Sequence, residues 1–215
     1  MNRGSLVDVR VGRKAVWGGK VGRAAGLVAV MVLAVLSASC GDLTRQGTGS
    51  SYLIVNELRG ASGAEPDDFG STLRSDVVTV VDDVSTIFND LAEVSFSMAM
   101  KDVTIEPTTN NAITINRYHV RYTRADGRNT PGVDVPYAFD GAFTGTVRPG
   151  ADLIATFELV RHIAKTEAPL GALARNRVII STIAEITFYG RDQTGRDVSV
   201  TAQMLVDFGN FGDPD

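Results

Sequence analysis

The sequence predicts an all-β fold, an antiparallel β-sandwich of about seven to nine strands. Three observations carry that prediction. From Tyr52 onward apolar and polar residues alternate with a period of two. Turn signals built on Gly, Pro and Asp punctuate the alternation at short intervals. No helical pattern alternates with the strands, which argues against a parallel α/β sheet. The composition, 44% apolar and 21% charged over 215 residues, is that of an ordinary globular chain.

The strands follow in order. The first two lie at 52–58 and 76–81. At 93–101, Val94, Phe96, Met98 and Met100 share one face, opposite Glu93, Ser95, Ser97, Ala99 and Lys101. In 113–123 the phase slips: Ile113 and Ile115 share one face, while Tyr118, Val120 and Tyr122 share the other. A bulge near Asn116 reconciles them. Residues 142–148 form the next strand, and 151–160 puts Leu153, Ala155, Phe157 and Leu159 on one side. Over 178–190, Ile180, Thr182, Ala184, Ile186 and Phe188 face one way. Ile179 and Ile183 make the opposite side partly apolar, which suits a central strand. The last strand, 197–208, alternates with only Leu205 off the pattern. Turns are expected at 125–127, 148–150 and 192–195, and Thr194-Gly195 joins the last two strands as a hairpin.

Two connections are less regular. In 82–92, Val84, Ile87, Phe88 and Leu91 have helical spacing, with Asp82 or Asp83 available as N-cap. The segment is too short for a stable isolated helix, and it fits a helical turn and a β-connection equally. Residues 161–177 contain Pro169 and Gly171 and read as a long connection with one helical turn at 170–175.

The first forty residues have a different character. Six basic side chains and one acid occupy 1–39, which leaves 15 basic and 24 acidic residues, a net of −9, for 40–215. An acidic body repels phosphate backbones, so nucleic acid is not an expected partner. Ala24 to Leu36 is an apolar run of 13 residues. As a helix it reaches ~20 Å, short of the ~30 Å hydrocarbon core. Small residues Ser37, Ala38 and Ser39 follow, so 1–39 reads as a secretory signal. Its basic stretch is long enough to allow a start downstream of Met1.

The only cysteine stands at the cleavage point, in Leu36-Ser37-Ala38-Ser39-Cys40. This segment resembles the lipobox of bacterial lipoproteins, with one departure: Ser37 stands at −3, where that family usually has an aliphatic residue. The resemblance implies cleavage before Cys40, acylation of its thiol and an anchor in the membrane. Two or three acyl chains hold firmly where one binds marginally. Gly41 at the sorting position implies the outer membrane. Residues 40–51 then form an acylated cysteine and a flexible Gly/Ser/Thr-rich tether, and 52–215 form one sandwich domain. The strands around Tyr118-His119-Val120-Arg121-Tyr122 and the closing hairpin resemble immunoglobulin-like or fibronectin-like modules. That resemblance implies a shape and no activity.

Little chemistry is written in the body. With one Cys and two His, a disulfide framework and a cysteine zinc site are excluded. No G-x-S-x-G, H-E-x-x-H or S-x-x-K motif occurs, and no cofactor is implied. Arg117, His119 and Arg121 form a cationic strip that suits a carboxylate or anionic glycan; the other reading is a solvated face paired to acids on a neighbouring strand. His162 lacks a nucleophile and an orienting acid nearby in sequence, so an exposed or capping role is expected. The acid groups Asp67-Asp68, Asp82-Asp83, Asp192 with Asp197, and Asp213 with Asp215 are possible Ca²⁺ ligands without the spacing of a calcium loop. In 129–141, Tyr137 and Phe139 either stack on a ligand or plug the core; Phe211 poses the same choice. The expectation is a membrane-tethered, non-enzymatic envelope module that binds or supports an envelope protein. The alternative is a lipoprotein that holds a glycan or calcium in its end loops.

Overall fold

The computed structural model describes residues 45–211, within the compact unit Gly41–Asp215. The signal segment 1–39 and Cys40 lie outside the described residues.

Eleven strands are described. They are β1 (Arg45–Gly47), β2 (Ser51–Ala61), β3 (Thr72–Asp76), β4 (Thr79–Val81), β5 (Val84–Thr86), β6 (Asp90–Met100), β7 (Ile113–Thr123), β8 (Phe139–Val147), β9 (Leu153–Val160), β10 (Ile180–Asp192) and β11 (Asp197–Gly209). One sheet has the order β1-β11-β10-β7-β8, with β3 also on β11; a second has the order β2-β6-β9; β4 and β5 form a small hairpin. The fold is the all-β sandwich expected. The count exceeds seven to nine because β1, β4 and β5 are three-residue pieces. Pairing is antiparallel except that β3 runs parallel to β11.

The period-two faces close on a common core. Val94, Phe96, Ile113, Ile115, Ile186, Phe188, Val206 and Phe208 are fully buried. Phe96 packs edge-on against Phe188 at 4.8 Å and Phe143 at 5.9 Å. β7 spans 113–123 as expected, and its register against β10 skips Asn116. That bulge lets Ile113 and Ile115 share the core with Tyr118 and Tyr122. The two tyrosines also tie the sheets together. The Tyr118 hydroxyl donates to the Glu158 carbonyl (2.9 Å) and that of Tyr122 to Leu159 (2.6 Å), on the edge strand β9.

Several boundaries differ from the sequence reading. The flexible tether expected over 40–51 is, at Arg45–Gly47, a strand paired with Val200, Ser199 and Val198, and the domain expected from 52 has β2 starting at Ser51. The strand expected at 76–81 divides, because Asp76 closes β3 while Thr79–Val81 is β4. Segment 82–92 is a β-connection. Asp82 and Asp83, expected as N-cap candidates, have φ of 51° and 62° and are the two central residues of the β4–β5 hairpin, where Val81 pairs with Val84. Positive φ at both positions is what a type I′ turn requires, and Asp tolerates it better than most residues. Residues 161–177 hold a short α1 (His162–Thr166) and a 3₁₀ turn at Leu170–Arg175, whose Leu170 and Leu173 cover the end of the core.

Candidate functional site

The cationic strip lies on the outer face of the larger sheet, and its charges are answered by neighbours. His119 stands opposite Asp140 on β8, and Arg121 opposite Glu185 on β10. Asp140 Oδ1 lies 3.3 Å from both Arg117 Nη1 and His119 Nδ1. Arg121 Nη2 is 2.9 Å from Glu185 Oε1, and the Arg117 guanidinium also stacks on Tyr189 at 3.8 Å. Cross-strand pairing of opposite charges is the reading in which this strip is a solvated face. His162 donates its backbone N–H to Asn89 Oδ1 (2.7 Å), and its Nδ1 lies 2.9 Å from the same oxygen. His162 is therefore the exposed first residue of the short helix α1, and Asn89 accepts its backbone N–H.

The two aromatics of the long loop part company. Phe139 is half-buried, packs against Tyr118 at 6.2 Å and carries the Arg161 guanidinium at 4.0 Å on its outer face. Tyr137 is 59% exposed, and Val133, four residues earlier, is 67% exposed. Its ring lies over Gly132, where φ is +75° and no space is left for a Cβ. Asn129, at the loop's start, accepts from the Arg124 N–H at 2.6 Å, and in the turn before the loop Arg124 and Arg128 both grip Asp126, at 2.6 and 2.9 Å. Those bonds hold the Asp126 carboxyl well below the usual range. Phe211 receives the Arg74 guanidinium at 4.5 Å and so is a stacked platform at the end of β11.

Of the acids considered for calcium, Asp213 and Asp215 lie outside the described residues, Asp82 and Asp83 form the β4–β5 turn, Asp197 pairs with Arg191 at 2.7 Å, and Asp192 holds the β10–β11 turn. Asp192 Oδ1 accepts from the Thr194 N–H (2.9 Å), the Thr194 hydroxyl (2.6 Å) and the Arg196 N–H (3.0 Å). Burial would raise that carboxyl, but these bonds outweigh it and lower it. Among the described residues no group of three or more His, Cys, Asp or Glu is placed to hold a metal.

The most unusual feature was not legible from the sequence. Lys165 and Asp90 form an ion pair of 2.7 Å with side chains 1% and 0% exposed. The ammonium also donates to the Asp76 carbonyl (2.8 Å), and Gly63 N–H donates to Asp90 Oδ1 (2.9 Å). Burial pushes the Asp90 carboxyl up, against the opposing pull of Lys165, Ser75 and Gly63. The pair ties α1 to the starts of β6 and the end of β3, and fixes the connection that covers this end of the core. Lysine in a short polar helix carries no sequence signal of burial; only the tertiary fold buries it.

No protein-family model and no curated protein matches the chain. Among solved structures, the solution structure of a candidate late embryogenesis abundant (LEA) protein aligns over 87% of this chain and 85% of its own, with 11% identity and a TM-score of 0.39.

Proposed function

We propose that this chain is a lipid-anchored module of the cell envelope, fixed by acylation at Cys40, that works by binding or supporting a partner without catalysing a reaction. One observation carries the reading: the sole cysteine lies at the end of an apolar signal segment, in Leu36-Ser37-Ala38-Ser39-Cys40. It is supported by the short interval to Arg45, where the sheet begins. Four residues reach at most about 18 Å from Cys40 to Arg45 when extended, so an acylated chain keeps its sandwich close to the bilayer. The non-enzymatic part of the reading is supported by the engagement of His119 with Asp140 and of His162 with Asn89. Mass analysis of the membrane-extracted protein tests the proposal. The expected N-terminal peptide starts at Cys40 and carries the mass of two or three acyl chains; an unmodified Cys40 would remove the anchor.

A second reading is favoured by Tyr137, an aromatic held exposed over Gly132 in a loop at one end of the sandwich. An exposed ring on a braced loop suits stacking on a sugar. On this reading Tyr137→Ala leaves stability within ~0.5 kcal/mol and abolishes cosedimentation with isolated cell-wall glycan. Unchanged cosedimentation, or none by the wild type, would dismiss it.

A further inference from the structure

The two ends of the sandwich lie at different distances from the proposed anchor. Arg45 of β1 pairs with Val200, and the Thr48 N–H donates to the Asp197 carbonyl at the start of β11 (2.8 Å). Val200 stands three residues from Asp197 and nine from Gly209. Along the strand these are about 10 Å and about 30 Å, against a reach of about 18 Å from Cys40 to Arg45. A bilayer that holds acyl chains at Cys40 therefore meets the Asp197 end of an upright sandwich and falls short of the Gly209 end. The β6–β7 connection, 101–112, belongs to the near end. The Lys101 N–H donates to the Ser50 carbonyl (2.9 Å), and Asn111 Nδ2 donates to the Ser50 hydroxyl (2.9 Å). The tip of this connection is apolar. Val103 is 93% exposed, the highest value for a large apolar side chain among the described residues, and Ile105 is 53% exposed. Both sit on a braced turn. The Ile105 N–H donates to the Asp102 carbonyl (3.2 Å), and Asp102 Oδ1 accepts from the Thr104 N–H (2.9 Å) and hydroxyl (2.7 Å). At the base of the turn the Lys101 ammonium lies over the Tyr52 ring, 5.3 Å from its centroid.

We propose that Val103 and Ile105 form a second membrane contact, seated in the headgroup region of the bilayer that holds the acyl chains of Cys40. The inference rests on the anchored-module reading and adds which end of the body meets the lipid. An apolar side chain leaves water on entering the acyl boundary, and a turn already held by hydrogen bonds loses little further freedom in doing so. The groups beneath the tip suit the same depth. A tyrosine ring is at home at the headgroup level, and a lysine stem lies along apolar surface while its ammonium stays in the polar layer. The Asp102 carboxylate is occupied by donors of its own turn. The far end also exposes apolar side chains, Val178 and Ile179 among them, before β10 begins at Ile180 opposite Phe208. Those lie beyond the reach of the anchor in an upright sandwich. The orientation thus directs the Asp197 end to the lipid and turns the Tyr137 loop, which follows the end of β7, away from it.

Tryptophan fluorescence of the mature chain tests it. The sole tryptophan, Trp17, lies in the segment that cleavage before Cys40 removes, so an introduced ring reports alone. Val103→Trp at the near end and Val178→Trp at the far end replace exposed apolar side chains. Each protein is purified from membranes, its N-terminal mass is measured, and it is placed in phosphatidylcholine vesicles with or without brominated acyl chains. Val103→Trp should lose at least about half its emission to the brominated lipid, as a ring at the acyl boundary does, and Val178→Trp less than about a tenth. Adding Ile105→Asp to Val103→Trp should restore the emission with the acyl mass unchanged. An acylated Val103→Trp chain without quenching, equal quenching at the two ends, or quenching that Ile105→Asp leaves intact would each overturn the proposal and leave the anchor standing. An unmodified Cys40 in the same sample would remove the anchor and the proposal together.

Discussion

Lys165 and Asp90 are the residues whose removal should be felt most sharply. Each is buried, and the energy of the pair lies mostly in not leaving one charge alone. Lys165→Met should cost ~3–5 kcal/mol by urea melting near pH 7. The sign of the pH dependence follows from Asp90. Its folded carboxyl titrates above its unfolded value because of burial, so the folded state holds the proton more tightly and stability from this group falls as pH rises through that window. Without the ammonium the window moves further up. The variant's deficit should therefore be smaller at pH 5 than at pH 8, and a deficit independent of pH would contradict the assignment. Met204 and Gln203 test register at the same scale. Met204 is 6% exposed beside Gly60, while Gln203 reaches outward to Glu185. Met204→Ala should cost ~2–5 kcal/mol and Gln203→Ala no more than ~0.5 kcal/mol. The candidate residues differed in how far their sequence reading went. Arg117, His119 and Arg121 alternate with buried Tyr118, Val120 and Tyr122, so their outward placement was readable. Their partners Asp140 and Glu185 are not, because pairing depends on strand order. The buried lysine left no trace, since burial of a charge breaks the very pattern that sequence reasoning follows.

At the scale of elements, the long strands were the legible part. β7 and the β10–β11 hairpin lie where alternation and the Asp192–Gly195 turn put them, and the phase slip at Asn116 is a register bulge. The short pieces were not legible. β3 reads Thr-Leu-Arg-Ser-Asp, and only Leu73 of its buried residues is apolar: Ser75 is buried too, and Asp76 accepts from the Thr79 hydroxyl and the Phe211 N–H. β1 and the β4–β5 hairpin are too short to show a period. The closing hairpin turn makes its own prediction. Asp192 titrates below its unfolded value, so it adds stability above the unfolded pKa and loses it as pH falls through the folded one. Asp192→Ala, which leaves two N–H groups and a hydroxyl without their acceptor, should cost ~1.5–3 kcal/mol at pH 7. The difference from wild type should narrow as the medium is acidified below about pH 4. Thermal melts from pH 2 to 7 check this, and a constant difference would remove the electrostatic part of the account.

At the largest scale the described body is a two-sheet sandwich, bridged by tyrosine hydroxyls, with paired charges on the outer face of its larger sheet and a charge-locked connection over one end. In the proposed reading, the segment before it gives the body its place of action. The most direct measurement is detergent phase partitioning of the wild-type chain and of Cys40→Ser, expressed with the complete N-terminal segment. The wild type should enter the detergent phase. Cys40→Ser should lose acylation and either stay as an uncleaved precursor or move to the aqueous phase with its sandwich folded. Wild-type partitioning of a cleaved Cys40→Ser chain would contradict the lipid-anchored module.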